Sequence, residues 1–91
     1  MIDNKPLISY VITAYNIEEF IKESVECAFK QTYEPLEIVL SDDCSTDGTF
    51  NIMKKMASQY TGKHKIVLNR NDHNLGIALH MNKAYIELAS G

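Results

Sequence analysis

No apolar run in these 91 residues exceeds a handful of positions, whereas a helix that crosses a bilayer needs about 20. The opening Met1-Ile2-Asp3-Asn4 also lacks the basic start of a signal peptide. Together these absences point to the cytoplasm. Cysteine is scarce: Cys27 and Cys44 have no CxxC spacing and are too few for a disulfide framework, so both are expected as reduced thiols. A metal site on them needs more soft ligands, and His64, His73 and His80 are not spaced to supply them. Basic runs are missing as well. Nine Lys plus Arg against twelve Asp plus Glu leave a net charge of -3, with no footprint for a duplex phosphate backbone, so nucleic acid is not an expected partner. No GxGxxG follows the first apolar run, and neither GxxxxGK[ST] nor GxSxG occurs, which removes the P-loop and the hydrolase elbow. Any phosphate chemistry must rest on a metal or on scattered donors.

What remains is an ordinary globular balance, 45% hydrophobic and 23% charged, in a length that fits a single domain over residues 1–91. LISYVIT at 7–13 has the apolar, β-branched character of a strand covered on both faces, and LEIVLS at 36–41 and KIVLN at 65–69 are the second and third strand candidates. Between them, Ile17, Phe20, Ile21, Val25, Ala28 and Phe29 repeat at helical spacing, as do Phe50, Met53, Met56, Ala57 and Tyr60. Asn16 is the expected cap of the first helix, with Glu19 as the acid of a capping box; Asp47 or Thr46 is the expected cap of the second, and Gly62 its exit residue. A third helix over 75–89 is predicted with Ala78, Met81, Tyr85 and Leu88 buried and Gly91 as its exit. Strand alternating with helix three times implies an α/β fold: three βα units of an open, parallel, Rossmann-like sheet.

Ligands of such sheets gather beyond the carboxyl ends of the strands, and those ends here are polar: Thr13-Ala14-Tyr15-Asn16, Asp42-Asp43-Cys44-Ser45 and Asn69-Arg70-Asn71-Asp72. Asp42 and Asp43 can bind a cation, accept donors from a ligand, or cap the following helix. Because Ser45 and Asp47 already serve as caps, the pair is expected to be free to accept an N–H from a planar base. Tyr15 either lays its ring on a flat ligand or packs at the strand-to-helix junction. Glu18 reads as a surface acid matched to the helix dipole, Arg70 as a phosphate contact or plain surface, and His73 and His80 as solvated or packing residues.

ISYVITAYNIEEFIKESVECAFKQTYEPLEIVLSDDCSTDGT, with its YN turn, QTY and DDxSTDGT loop, resembles the start of the family 2 inverting glycosyltransferases of the GT-A fold. NRNDHNLGIALHMNKAYIELASG resembles the segment that follows in that family. The resemblance implies that Thr13, Ala14, Tyr15, Asn16 and Glu18 line a nucleotide site, that Asp43 accepts from the base, and that Asp42 and Ser45 shape the pocket. It implies the same site for Asn74 and Gly76, with Asn82 in the same segment. Thr13 and Met81 depart from the proline and arginine that many members carry there.

A carboxylate that reads an imide N–H favours a UDP- or dTDP-sugar, since cytosine offers no such donor. The resemblance further implies a Mg²⁺ or Mn²⁺ ion held by a D-x-D on a fourth strand, and a catalytic base beyond it. Neither occurs before Ser90-Gly91, so the chain is expected to be a truncated nucleotide-binding part, inactive alone, with catalytic and metal residues outside it. Its first strand would then lie open to self-association, and the parent enzyme would work in the cytoplasm or on the inner membrane face. A receiver-like Mg²⁺-binding signalling domain and a binding module without chemistry are the alternatives.

Overall fold

The computed structural model describes residues 5–90, so the expectation about Gly91 falls outside them. The elements are β1 (Ile8–Ala14), α1 (Glu18–Phe29), β2 (Leu36–Asp42), α2 (Thr49–Gln59), β3 (Lys65–Arg70) and α3 (Ile77–Lys83), and α3 runs on as a π-helical stretch over Ala84–Leu88. The three strands form one parallel sheet in the order β1-β2-β3. Its register pairs Ile8 with Leu36 through Ala14 with Asp42, and Glu37 with Lys65 through Asp42 with Arg70. The open parallel α/β sheet expected from the sequence is therefore the fold.

Alternation divides the sheet into two unlike faces. Leu36, Ile38 and Leu40 of β2 join Ile12, Ala14, Ile21, Val25, Ala28 and Met53 in one core beneath α1 and α2. Burying each large aliphatic side chain of this set contributes about 1.5–3 kcal/mol. Both helices lie on this face because the chain steps in one direction from β1 to β3, and right-handed crossovers then keep them on the same side. The opposite face carries the row Val11, Val39, Val67, flanked by the rows Ser9, Glu37, Lys65 and Thr13, Ser41, Asn69.

A single helix covers that second face. α3 begins above the carboxyl ends of the strands, where His80 meets Ser41, and the Ser90 amide donates to Glu37 Oε1 at 2.8 Å near their amino ends. The chain thus recrosses the sheet from top to bottom, and Glu37, buried on β2 and ion-paired with Lys65 at 3.4 Å, receives its end.

The buried stripe predicted for α3 is corrected. His80 and Ala84 face the sheet, while Met81 and Tyr85 are exposed. Spacing identified a helix but not its inward side, and the surface it lies on is polar near Ser41, which selects the histidine. The π-helical stretch, closed by the Ala89 amide on the Ala84 carbonyl at 2.9 Å, also lengthens the turn and shifts the later positions. Gly62 does not end α2; Tyr60 already turns to extended backbone there. β1 pairs with β2 on one side, and its other edge has no strand partner among the described residues.

Candidate functional site

The loops that follow β1 and β2 are bound to each other at the carboxyl end of the sheet. The Asp43 amide donates to the Ala14 carbonyl at 2.8 Å, which extends the β1–β2 ladder by one bond. Asn16 N–H donates to Ser45 Oγ at 2.9 Å, Thr46 N–H to Asn16 Oδ1 at 2.8 Å, and Ile17 N–H to Thr49 Oγ1 at 3.0 Å. Glu18 N–H reaches Asp47 Oδ2 at 3.3 Å, and Glu18 Oε1 accepts the Gly48 amide in return.

Asn16 is therefore not the cap of its own helix. It sits in the left-handed region with φ 49 and serves the neighbouring loop, while Asp47 receives an N–H from the first turn of each helix. The Thr49 hydroxyl, with the amides of Thr49 and Glu18 and against slight burial, holds the Asp47 carboxyl below its usual range. Left-handed backbone recurs at Cys44, φ 62, where the chain must turn sharply out of β2.

The two adjacent aspartates are not free, contrary to the expectation from their neighbours. Asp42 is fully buried and accepts the Ser45 amide at 2.8 Å and the Ser45 hydroxyl at 2.5 Å. Arg70 approaches it to 3.8 Å, donates to the Ser45 carbonyl at 3.2 Å and lies over the Phe50 ring. Asp43 is 3% exposed. Its Oδ1 accepts Asn71 Nδ2 at 2.8 Å and the Leu75 amide at 2.8 Å, and its Oδ2 accepts the Gly76 amide at 3.0 Å. Burial pushes this carboxyl up, but the Leu75, Asn71 and Gly76 donors and the nearby His80 outweigh it and hold it below its usual value. A carboxylate offers about four acceptor positions. Three are taken, and the one left is on Oδ2.

Beneath this pair runs a buried polar chain that sequence reasoning missed. Asn71 Oδ1 accepts Lys83 Nζ at 2.6 Å and Asn69 Nδ2 at 3.1 Å; Asn69 Nδ2 also reaches Ser41 Oγ at 3.0 Å, which lies 2.6 Å from His80 Nε2. Burial lowers the His80 pKa, Asp43 and Asp42 pull it up, and Lys83 lowers it again; the net direction is down. A sequence signal existed: Ser41 and Asn69 alternate with Leu40 and Leu68 and so had to leave the apolar core.

Of the other expected residues, Thr13 is half-buried beside Ser41, Ala14 is buried, and Tyr15 is 44% exposed directly after β1. Asn74 Oδ1 and Asp43 Oδ2 share the Gly76 amide, and Gly76 has φ 83 with open space around its Cα, so conformation and not room calls for glycine there. Asn82 lies in a shallow groove of about 320 Å³ with Leu79 and Ile86, on the exposed side of α3. An open cavity of about 370 Å³, lined by Asn16, Ile17, Glu18, Glu19, Phe20 and Asp47, flanks the loop pair. Among the described residues no group of three or more His, Cys, Asp or Glu could hold a metal, so these residues do not fit a divalent ion. What the arrangement offers chemically is one open acceptor position on a carboxylate at the end of β2, with the exposed Tyr15 following the neighbouring strand β1.

The model of glycosyl transferase family 2 matches residues 9–86. The putative glycosyltransferase EpsE of Bacillus subtilis is 36% identical over 74 residues, 81% of this chain and 27% of that protein. The UDP-Glc:alpha-D-GlcNAc-diphosphoundecaprenol beta-1,3-glucosyltransferase WfaP of Escherichia coli is 36% identical over 85 residues, 93% of this chain and 32% of that protein. Among solved structures, the mannosyltransferase PcManGT from Pyrobaculum calidifontis, in complex with GDP-Man and Mn²⁺, superposes with a TM-score of 0.78 at 25% identity. The match covers 91% of this chain and 24% of that one, so the chain spans about a quarter to a third of the length of these proteins.

Proposed function

The chain belongs to glycosyltransferase family 2, and on that premise we propose that it is the amino-terminal, nucleotide-binding part of a GT-A enzyme. The whole enzyme transfers a sugar from a nucleotide-diphosphate donor to an acceptor hydroxyl with inversion. The observation that carries the reading is the hydrogen bond from the Asp43 amide to the Ala14 carbonyl. It joins the residue before Tyr15 to the base-reading acid at the end of the sheet where such folds take ligands. Tyr15 supplies a face for the base, and the open position on Asp43 Oδ2 accepts one N–H from its edge.

That single position favours uridine or thymidine diphosphate. Uracil and thymine present one imide N–H, whereas guanine presents adjacent N–H groups, one of which would stay unpaired against this acid. WfaP is named for UDP-Glc and PcManGT is complexed with GDP-Man, so both bases occur among similar proteins. The Mn²⁺ of that complex supports a Mg²⁺ or Mn²⁺ ion in the whole enzyme, where it would supply charge for the leaving diphosphate. The described residues do not fit the ion, and this chain is proposed to bind nucleotide without turning over.

No helix among the described residues is long and apolar enough to cross a membrane; the proposed setting is the cytoplasm or the inner membrane face, where WfaP's named lipid-diphosphate acceptor would be met. Calorimetric titration with uridine, thymidine and guanosine diphosphates tests the reading. Binding of the first two ahead of the third supports it, and no binding of any overturns it. Steady product from nucleotide sugar, metal and acceptors overturns the inactive state. Labelling by acetyl phosphate would favour the signalling alternative, which the internal engagement of Asp42 and Asp43 disfavours.

A further inference from the structure

Asn71 is 3% exposed, and its side-chain amide has only one workable orientation. Its oxygen accepts the Lys83 ammonium at 2.6 Å and the Asn69 amide at 3.1 Å, so its nitrogen must face Asp43 Oδ1, 2.8 Å away. Its backbone is fixed too, by the Asn71 amide on the Asp42 carbonyl at 2.9 Å. With the Leu75 amide also on Oδ1, that oxygen is filled, while Oδ2 carries the Gly76 amide alone. The asymmetry of the carboxylate therefore comes from Asn71 and the Leu75 amide together, and Asn71 is its side-chain part. We propose that Asn71, oriented by Lys83, is a positioning residue that turns the open acceptor of Asp43 toward the base and so sets base specificity without touching the ligand. This rests on the nucleotide-binding reading above for its consequence, though the orienting of Asp43 does not.

The charges around Asp43 make the idea testable. His80 acts on it from α3, where Lys83 holds Asn71, Asp42 precedes it at the end of β2, and Arg70 at the end of β3 is paired with Asp42. Without Lys83, the Asn71 oxygen keeps only the longer bond from Asn69, so the amide is held less firmly with its nitrogen toward Asp43. In Asn71→Asp, two carboxyl groups meet where an amide donor met one, and they then share a proton and titrate as a pair.

Uridine diphosphate binding to the 91-residue chain, read at pH 5.5 and pH 8, is paired with a carbon NMR titration of the Asp43 carboxyl. In Asn71→Asp we expect binding weakened by at least about tenfold at pH 8 and largely regained at pH 5.5, where the shared proton again donates to Oδ1. Lys83→Met should weaken binding by roughly threefold to tenfold, and Lys83→Arg should restore it. In Asn71→Asp and in Lys83→Met the Asp43 midpoint should rise. An unmoved midpoint, or a loss in Asn71→Asp that is equal at both pH values, overturns the proposal. If the unaltered chain binds no nucleotide, the functional reading falls, and the Asp43 midpoint still decides whether Asn71 and Lys83 orient the acid.

Discussion

The hydroxyl of Ser41 and Nε2 of His80 lie 2.6 Å apart between β2 and α3, both side chains buried. Asn69 donates to the same hydroxyl, so Ser41 links β3 and α3 whichever of Ser41 and His80 supplies the proton between them. The pair fastens the helix that alone covers one face of the sheet.

Stability should fall on mild acidification. The folded pKa of His80 lies below its ordinary 6.5, so the unfolded chain takes up the proton first. The contribution is complete above pH 6.5 and is lost as pH drops below it; Asp43 and Glu37, lowered from 3.8 and 4.5, add a further loss at stronger acid. Urea midpoints should decline from pH 7.5 to pH 5, and His80→Asn should flatten that decline while lowering the plateau.

Asp43→Ala should separate two roles in one variant. It leaves the Asn71, Leu75 and Gly76 donors without their acceptor, which costs about 1–3 kcal/mol. It should also erase any preference between uridine and guanosine diphosphates, because the acid that reads the base edge is gone. Chemical denaturation and calorimetry on the same preparation check both, and a retained preference would exclude Asp43 as the reader.

Cys44 holds a left-handed conformation that costs a residue with an ordinary side chain roughly 1 kcal/mol. Asparagine tolerates that region, so Cys44→Asn should raise stability by about 0.5 kcal/mol, seen as a higher melting temperature, with nucleotide affinity unchanged. A lower melting temperature would show that the long contact from Cys44 Sγ to the Asp72 carbonyl at 3.6 Å matters more than the backbone.

We expect the open edge of β1 to draw chains together. Ile8 at its start is 45% exposed, and a strand with no strand neighbour on one side among the described residues is a template for another chain. Sedimentation should show mass rising with concentration, and Ile8→Lys should shift the population toward monomer. A monodisperse monomer at all concentrations would remove this expectation.

Much of the framework was legible because short apolar runs bounded by polar turns leave little freedom. The strands expected at 7–13, 36–41 and 65–69 differ by one residue at an end or by a shift of one from Ile8–Ala14, Leu36–Asp42 and Lys65–Arg70. The position of Asp42 and Asp43 at a strand end followed from the same pattern. Their partners did not, because local rules look a few residues either way, whereas Asp43 is matched to Asn71, Leu75 and Gly76, 28 to 33 residues on. The same short horizon made Asn16 a cap for the nearest helix, although its true partner is Thr46, 30 residues away. α3 failed for another reason: a helix with apolar residues on several sides has no unique inward face until the surface beneath it is known.

The late arrival of those partners has a consequence for biosynthesis. Asp43 leaves the ribosome 33 residues ahead of Gly76, so a nascent chain that has exposed β1, α1 and β2 still holds an acid whose amide donors have not emerged. Until they emerge that carboxylate must stay hydrated, and the end of β2 cannot settle into its final dry surroundings. Emergence of the segment from Asn71 to Gly76 is thus the moment at which this end of the sheet can close.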